Sequence, residues 1–280
     1  MKRKLKLGLI TLLVGGASLS LVSCDLINDL LKPSSKPTEI KTTTTATSTT
    51  KTNEIKNEGI IYDDFQIHFM MLGNDKAGDS IYIKAGDTDV IIDAGSRQQS
   101  TVTTKEYMNQ YISDNKIEYV ILTHGDQDHV DGFTDTTNNK GILSSYEIDT
   151  IIDNQYTTKT TSTYKKYLTL RDSLEAKGTK HYYAGDCFTN QNGAKKEYQL
   201  SDKVTMSILY NYYYFNTGSD ENNYSVCTMF TYDNGTDKYN FMFTGDLEKE
   251  GEEKMASYYD KSSSDKYSTL NSSLLFIAIA

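Results

Sequence analysis

The chain has 280 residues, 37% of them hydrophobic and 11% aromatic, with 22 Tyr, 9 Phe and no Trp. That is enough apolar side chain to build a core, so disorder throughout is excluded. Lys+Arg 29 against Asp+Glu 38 leave a formal net charge of −9, which argues against a generic nucleic-acid coat protein.

Lys2, Arg3, Lys4 and Lys6 precede a mostly apolar stretch from Leu7 to Val22 that small residues interrupt. The pattern reads as a secretory signal peptide over residues 1–23, the stretch being short and diluted for a membrane-spanning helix. Leu21-Val22-Ser23-Cys24 resembles the bacterial lipobox, in which the cysteine is acylated and the chain is cut before it. Removing four cations and no acids moves the charge from −9 to −13. Two or three acyl chains on Cys24 hold a protein stably at a membrane, as one does not. The expected location is the outer face of the cell membrane, lipid-anchored. Residues 24–59 carry both prolines, Pro33 and Pro37, and a Thr/Ser run over 42–50 that cannot bury enough area to fold. They read as a tether, roughly 30 Å as a flexible coil.

From residue 60 the pattern changes to that of one folded domain ending at 280. Strands are expected at Phe65 to Leu72, Ser80 to Ala85 and Val90 to Ile92. Tyr107, Met108, Tyr111 and Ile112 recur at helical spacing, predicting a helix over Thr103 to Asn115. A short strand, Glu118 to Leu122, runs into Thr123-His124-Gly125-Asp126-Gln127-Asp128-His129. A strand at Ile148 to Ile152 precedes a helix with Tyr164, Tyr167, Leu168 and Leu174 on one face, stopped by Gly178. Strands follow at Val204 to Tyr210, Ser225 to Tyr232 and Asn240 to Thr244, then a charged helix from Glu248 to Tyr259 and an apolar strand from Leu274 to Ala280. No repeat of fixed period occurs. The order predicts two sheets with helices outside.

The chemistry concentrates between His124 and His129. His124, Asp126, Asp128 and His129 share six residues directly after a strand, and two of the chain's four histidines fall there. Adjacent carboxylates on one tight loop repel unless a cation lies among them. Imidazole with carboxylate suits zinc, manganese or iron, and the carboxylates lean toward harder ions. Asp246 closes the strand ending at Thr244-Gly245. It is either a turn former or the distant carboxylate that a two-metal site needs. Asp93, in Ile92-Asp93-Ala94-Gly95, is either a turn former or a partner that orients a ligand histidine.

The loop Thr123 to His129 resembles the metal loop of metallo-β-lactamase-fold hydrolases, usually His-x-His-x-Asp-His. Aspartate at the second histidine is typical of a branch that includes the extracytoplasmic domain of competence DNA-uptake channels. Gly78-Asp79-Ser80, Ile92-Asp93-Ala94-Gly95, Asn222-Asn223-Tyr224-Ser225 and Thr244-Gly245-Asp246-Leu247-Glu248 agree with that branch in order. The resemblance covers Phe65 to Ala280. It implies an α+β, four-layer αββα sandwich with two divalent metal ions, Zn or Mn, at one edge. His124, Asp126 and Asp246 would hold one, and Asp128, His129 and Asp246 the other. A metal-bound hydroxide would attack the substrate, with His124, Asp128 and Asp246 as the catalytic set and Asp128 orienting the water. Asp93, Thr123, Asn223 and Ser225 are implied behind the ligands or on the substrate side; Asp79 reads as a turn residue.

The branch continues beyond its last strand into Gly-His-His-Gly-Ser, whereas this chain has no histidine after His181. The expectation is a truncated or frameshifted terminus and a weakened second metal site. His68 and His181 read as packing or surface residues, not substitute ligands. Tyr210 to Phe215 is either an aromatic lip for ring stacking or packing, and Cys187 and Cys227 are either paired or free thiols. The leading function is a surface-anchored metal-dependent hydrolase of phosphodiesters, acting on nucleic acid or a small diester. Hydrolysis of lactones, β-lactams or other esters, and a non-catalytic surface lipoprotein, stand as alternatives. Nothing points to a protein partner.

Overall fold

A computed structural model describes residues 65–72, 78–261 and 274–277. The chain divides into Met1–Lys56 and Asn57–Ala280, and every described residue falls in the second unit. The signal peptide, Cys24 and the tether lie outside the described residues. No helix among those described is long and apolar enough to cross a membrane.

Eleven described strands form two sheets. The first runs in the order β1 (Phe65–Phe69), β2 (Ile81–Ala85), β3 (Thr88–Ile92), β4 (Lys116–Ile121), β5 (Glu147–Asp153), β6 (Lys180–Tyr183). The second runs β11 (Leu274–Ile277), β10 (Lys238–Phe243), β9 (Thr228–Asp233), β8 (Val204–Ile208), β7 (Glu197–Gln199). From β3 to β6 neighbouring strands are parallel, so each connection must cross the sheet and carries helix. These are α1 (Arg97–Met108), then α2 (Gln127–Val130) and α3 (Ile142–Ser145), then α4 (Ser162–Glu175). Downstream lie α5 (Ala184–Thr189) and α6 (Lys249–Lys261).

Side chains alternate across a strand, and here both faces of each sheet are covered. Ile81, Ile83, Val90, Ile92, Ile121 and Ile152 meet Val204, Met206, Ile208, Phe230 and Phe243 between the sheets. On the opposite face of the first sheet, Tyr82, Ile91, Val120 and Ile151 pack against Met108, Val130, Phe133, Tyr164 and Tyr167. Outside the second sheet, Met229 and Met242 meet Met255 and Tyr259 of α6. The result is four layers, helix–sheet–sheet–helix, as expected.

Some boundaries differ. The first helix occupies Arg97–Met108, earlier than Thr103 to Asn115. Its buried stripe is Thr101, Thr104 and Met108, and the threonines hid the helical period. Asn115 is left-handed, with φ +62°. Ser225, Val226 and Cys227 precede β9 and are not part of it. The last apolar run does form a strand, Leu274–Ile277, parallel to β10.

Candidate metal centre

In register, Ile92, Ile121 and Ile152 stand side by side on β3, β4 and β5. The residues that follow therefore emerge together at the carboxyl ends of parallel strands, where open α/β sheets place their sites. Asp93 follows β3, Thr123 and His124 follow β4, and Asp246 follows β10 across the interface. Backbone bonds knit these loops: Asp79 N–H to the Asp128 carbonyl at 3.2 Å, Ala94 N–H to the His129 carbonyl at 2.9 Å and Val226 N–H to the Thr123 carbonyl at 2.8 Å. Two glycines permit the approach. A Cβ on Gly78 (φ +118°) would lie 2.0 Å from the Asp128 carbonyl oxygen, and one on Gly245 (φ +54°) 2.8 Å from Thr123 Cβ.

Asp93 organises both imidazoles. Its backbone is left-handed, φ +56°, a conformation rare for a residue with a side chain and tolerated best by Asn and Asp. Its Oδ1 accepts from Thr123 N–H at 2.8 Å, and its Oδ2 accepts from Thr123 Oγ1 at 2.6 Å and pairs with His129 Nδ1 at 2.7 Å. The Thr123 hydroxyl has one proton, directed to Asp93. His124 Nδ1, 3.0 Å from that hydroxyl, is therefore the donor. This hydrogen-bond assignment leaves both Nε2 atoms facing outward on the same side.

They face Asp246. His129 Nε2 is 3.3 Å and His124 Nε2 4.0 Å from Asp246 Oδ2. One ligand atom from each of the three residues lies within 4.8 Å of the others. His124 is 3% and His129 2% exposed. His124 Nε2 and Asp246 Oδ1 are buried without hydrogen-bond partners, whereas buried polar atoms are normally satisfied. Two imidazole nitrogens and a carboxylate around an unsatisfied centre fit a divalent cation. Burial would lower the His129 pKa, but the Asp93 charge and the Asp246 hydrogen bond outweigh it and push it up to about 11. Asp246 is held below the carboxylate range by His129 in spite of burial.

Asp126, on the same loop, stands outside the three-residue group of ligand atoms, its Oδ2 3.5 Å from His124 Nε2. His124, together with Lys159, depresses it to about 2 against the effect of burial. Asp128, half-buried on the first turn of α2, stands outside the three-residue group of ligand atoms. Asn223 and Ser225 support the loops: Asn223 Oδ1 accepts from Gly251 N–H at 3.2 Å and Ser225 Oγ donates to the Asn222 carbonyl at 2.7 Å.

The sequence left Lys159 and Glu221 unread and gave Asp79 only a turn. Asp79 is more than a turn residue: it lines a crevice with Asp93, Thr123 and Gly245, and burial raises it to about 6. Lys159 pairs with Asp126. Glu221, buried, accepts from Gly125 N–H at 2.8 Å and Thr157 Oγ1 at 2.7 Å, and also from Thr158 N–H. No local signal marks Lys159 or Glu221, since both act through loops distant in sequence. His181 and His68 are elsewhere: His181 Nε2 pairs with Asp153 at 2.8 Å and His68 Nδ1 with Tyr107 Oη at 2.9 Å. Cys187 and Cys227 are both free and buried.

Residues 73–162 match the metallo-beta-lactamase superfamily. That segment holds β2 to β5 of the first sheet and the loop from Thr123 to His129. A Thermotoga maritima protein described as a putative metallo-beta-lactamase is 17% identical, with 65% of this chain and 79% of that one covered and a TM-score of 0.39. A Staphylococcus aureus protein described as a probable metal-dependent hydrolase is 16% identical, with coverage of 64% and 72% and a TM-score of 0.37. A Cronobacter sakazakii metallo-beta-lactamase variant is 12% identical, with coverage of 74% and 73% and a TM-score of 0.40. A search of curated proteins finds no relative of this chain.

Proposed function

We propose that this protein is a metal-dependent hydrolase, with small phosphodiesters as its substrate class. The observation that carries the reading is the shared orientation of two buried imidazoles by one carboxylate, Asp93, which leaves both Nε2 atoms aimed at Asp246. His124, His129 and Asp246 would hold the cation, with Asp126 as a fourth oxygen donor. When bound there, a divalent metal supplies a Lewis acid and acidifies a water molecule near neutral pH.

The chain's own groups do the rest. Asp93 and Thr123 fix both rings and keep the Nδ1 protons away from the site. Asp246 reaches the centre from the other sheet. Asp79 and Asp128 carry carboxylates at its margin, Asp128 feeding the field that Asp79 experiences. Such a carboxylate is suited to accept a proton from an attacking water. The carboxylate-rich set supports hard-ion chemistry on phosphoryl oxygens, and the negative net charge favours a small diester over long DNA.

Surface anchoring is part of the proposal. A fatty-acid probe should label the chain in growing cells and fail to label Cys24→Ser. For the activity, protein loaded with Zn or Mn is offered bis(4-nitrophenyl) phosphate, DNA, nitrocefin and a homoserine lactone. Turnover of the diester, lost in His124→Ala and Asp246→Ala, is expected; turnover of nitrocefin or lactone alone would replace the phosphodiester class. Absence of bound metal by elemental analysis would overturn the hydrolase reading altogether.

A further inference from the structure

Lys159 is the cation that the sequence did not place beside the metal loop. Its Nζ pairs with Asp126 Oδ1, while Asp126 Oδ2 is the oxygen near His124 Nε2. One carboxylate thus stands between the lysine and the candidate metal position. Exposed ion pairs are usually worth little, but this pair is built in. Both side chains are about three-quarters covered, at 28% and 26% exposure. The two loops that carry them are tied to one buried carboxylate. Glu221 accepts from Gly125 N–H, next to Asp126, and from Thr157 Oγ1, Thr158 N–H and Thr158 Oγ1, next to Lys159. Lys159 N–H also donates to Thr157 Oγ1 at 2.9 Å. A Cβ on Gly125 would lie 2.7 Å from Glu221 Oε1, so a side chain there would push the carboxylate out of place.

We infer that Lys159 is an intrinsic counter-ion of the metal loop: a metal ion displaces its ammonium from Asp126, and the freed ammonium then binds the anionic group of the substrate. This rests on the metal-dependent hydrolase reading and narrows it to substrates with a negative charge next to the scissile bond. The physical reason is competition. A metal ion at Oδ2 draws on the carboxylate charge that holds the lysine at Oδ1, and a fixed positive charge nearby opposes a second cation. Once Asp126 turns to the metal, the lysine has no equivalent partner on its own loop, and an incoming phosphate or carboxylate oxygen supplies one.

The test compares the full chain with Lys159→Gln and Lys159→Arg. Zinc and manganese affinities are measured by competition with a chromophoric chelator. Lys159→Gln should bind metal about tenfold more tightly, and Lys159→Arg as the parent does. Inorganic phosphate is then titrated calorimetrically into the metal-saturated proteins, where Lys159→Gln should bind about tenfold more weakly and Lys159→Arg should restore most of the affinity. Unchanged or weakened metal binding in Lys159→Gln overturns the competition. Unchanged phosphate affinity overturns the substrate role. Either result leaves the hydrolase reading standing, whereas a parent chain that binds no metal removes both. Circular dichroism melts that match the parent show that the variants fold.

Discussion

At the level of single residues, Asp93 has the widest reach. It is held in a left-handed backbone conformation and serves two rings, His129 directly and His124 through Thr123. Partners of this kind typically cost 10–100-fold in metal affinity when removed. Asp93→Ala should therefore weaken zinc binding by about that factor in a chelator competition. Asp93→Asn, which also tolerates positive φ and keeps one of the two acceptor oxygens, should lose less. The thiols make a second test. Burial pushes Cys187 up to about 12 and Cys227 well above the usual thiol range, so neither offers thiolate at neutral pH. In a Cys24→Ser chain, a thiol reagent at pH 8 should find no fast-reacting cysteine until denaturant is added, and then two.

At the level of elements, the end of β5 carries a buried network as demanding as the candidate metal centre. Asp153 accepts from Tyr167 Oη at 2.8 Å and Arg171 Nη1 at 2.9 Å and pairs with His181 Nε2 at 2.8 Å, joining β5, α4 and β6. Burial alone would raise its pKa, but the His181 hydrogen bond and the Arg171 charge hold it below the usual carboxylate range. A depressed carboxyl pKa contributes stability that is complete above the unfolded value, near 4, and is lost as pH falls through the folded one. Chemical denaturation should thus show stability declining below pH 4, with a shallower decline in Asp153→Asn. That variant should also lose about 3–5 kcal/mol at pH 7, because it removes the buried charge partner of Arg171 and leaves the guanidinium to the exposed Asp172. The order and kind of most strands and helices could be read from local pattern, because period and turn residues act within a few positions. The helix Arg97–Met108 was misplaced because threonines, which carry little hydrophobic signal, make up most of its buried stripe. Short elements such as β7 and α5 were missed, since three to six residues give no period to read.

At the scale of the whole molecule, the two sheets meet at the site. Thr123 belongs to the first sheet's loops and Asp246 to the second's, with Val226 hydrogen-bonded to Thr123 between them. A cation that bridges the two should stabilise the fold globally. At a free metal concentration 100 times Kd the gain is about 2.7 kcal/mol, less any binding to the unfolded chain. For a domain of this size that is roughly 5–10 °C in melting temperature. Differential scanning fluorimetry with zinc against EDTA should show this shift in the parent and lose it in His124→Ala.

The motif Thr123 to His129 and the strand before it announced imidazole and carboxylate crowding, because ligand type and spacing are local properties of a chain. So were the sheet-and-helix order and the apolar alternation that covers both faces. What Lys159, Glu221, Asp79 and Asp153 do was set by the folded state alone. Each acts on groups distant along the chain, and the strand register and loop packing that bring them together depend on the whole core forming first.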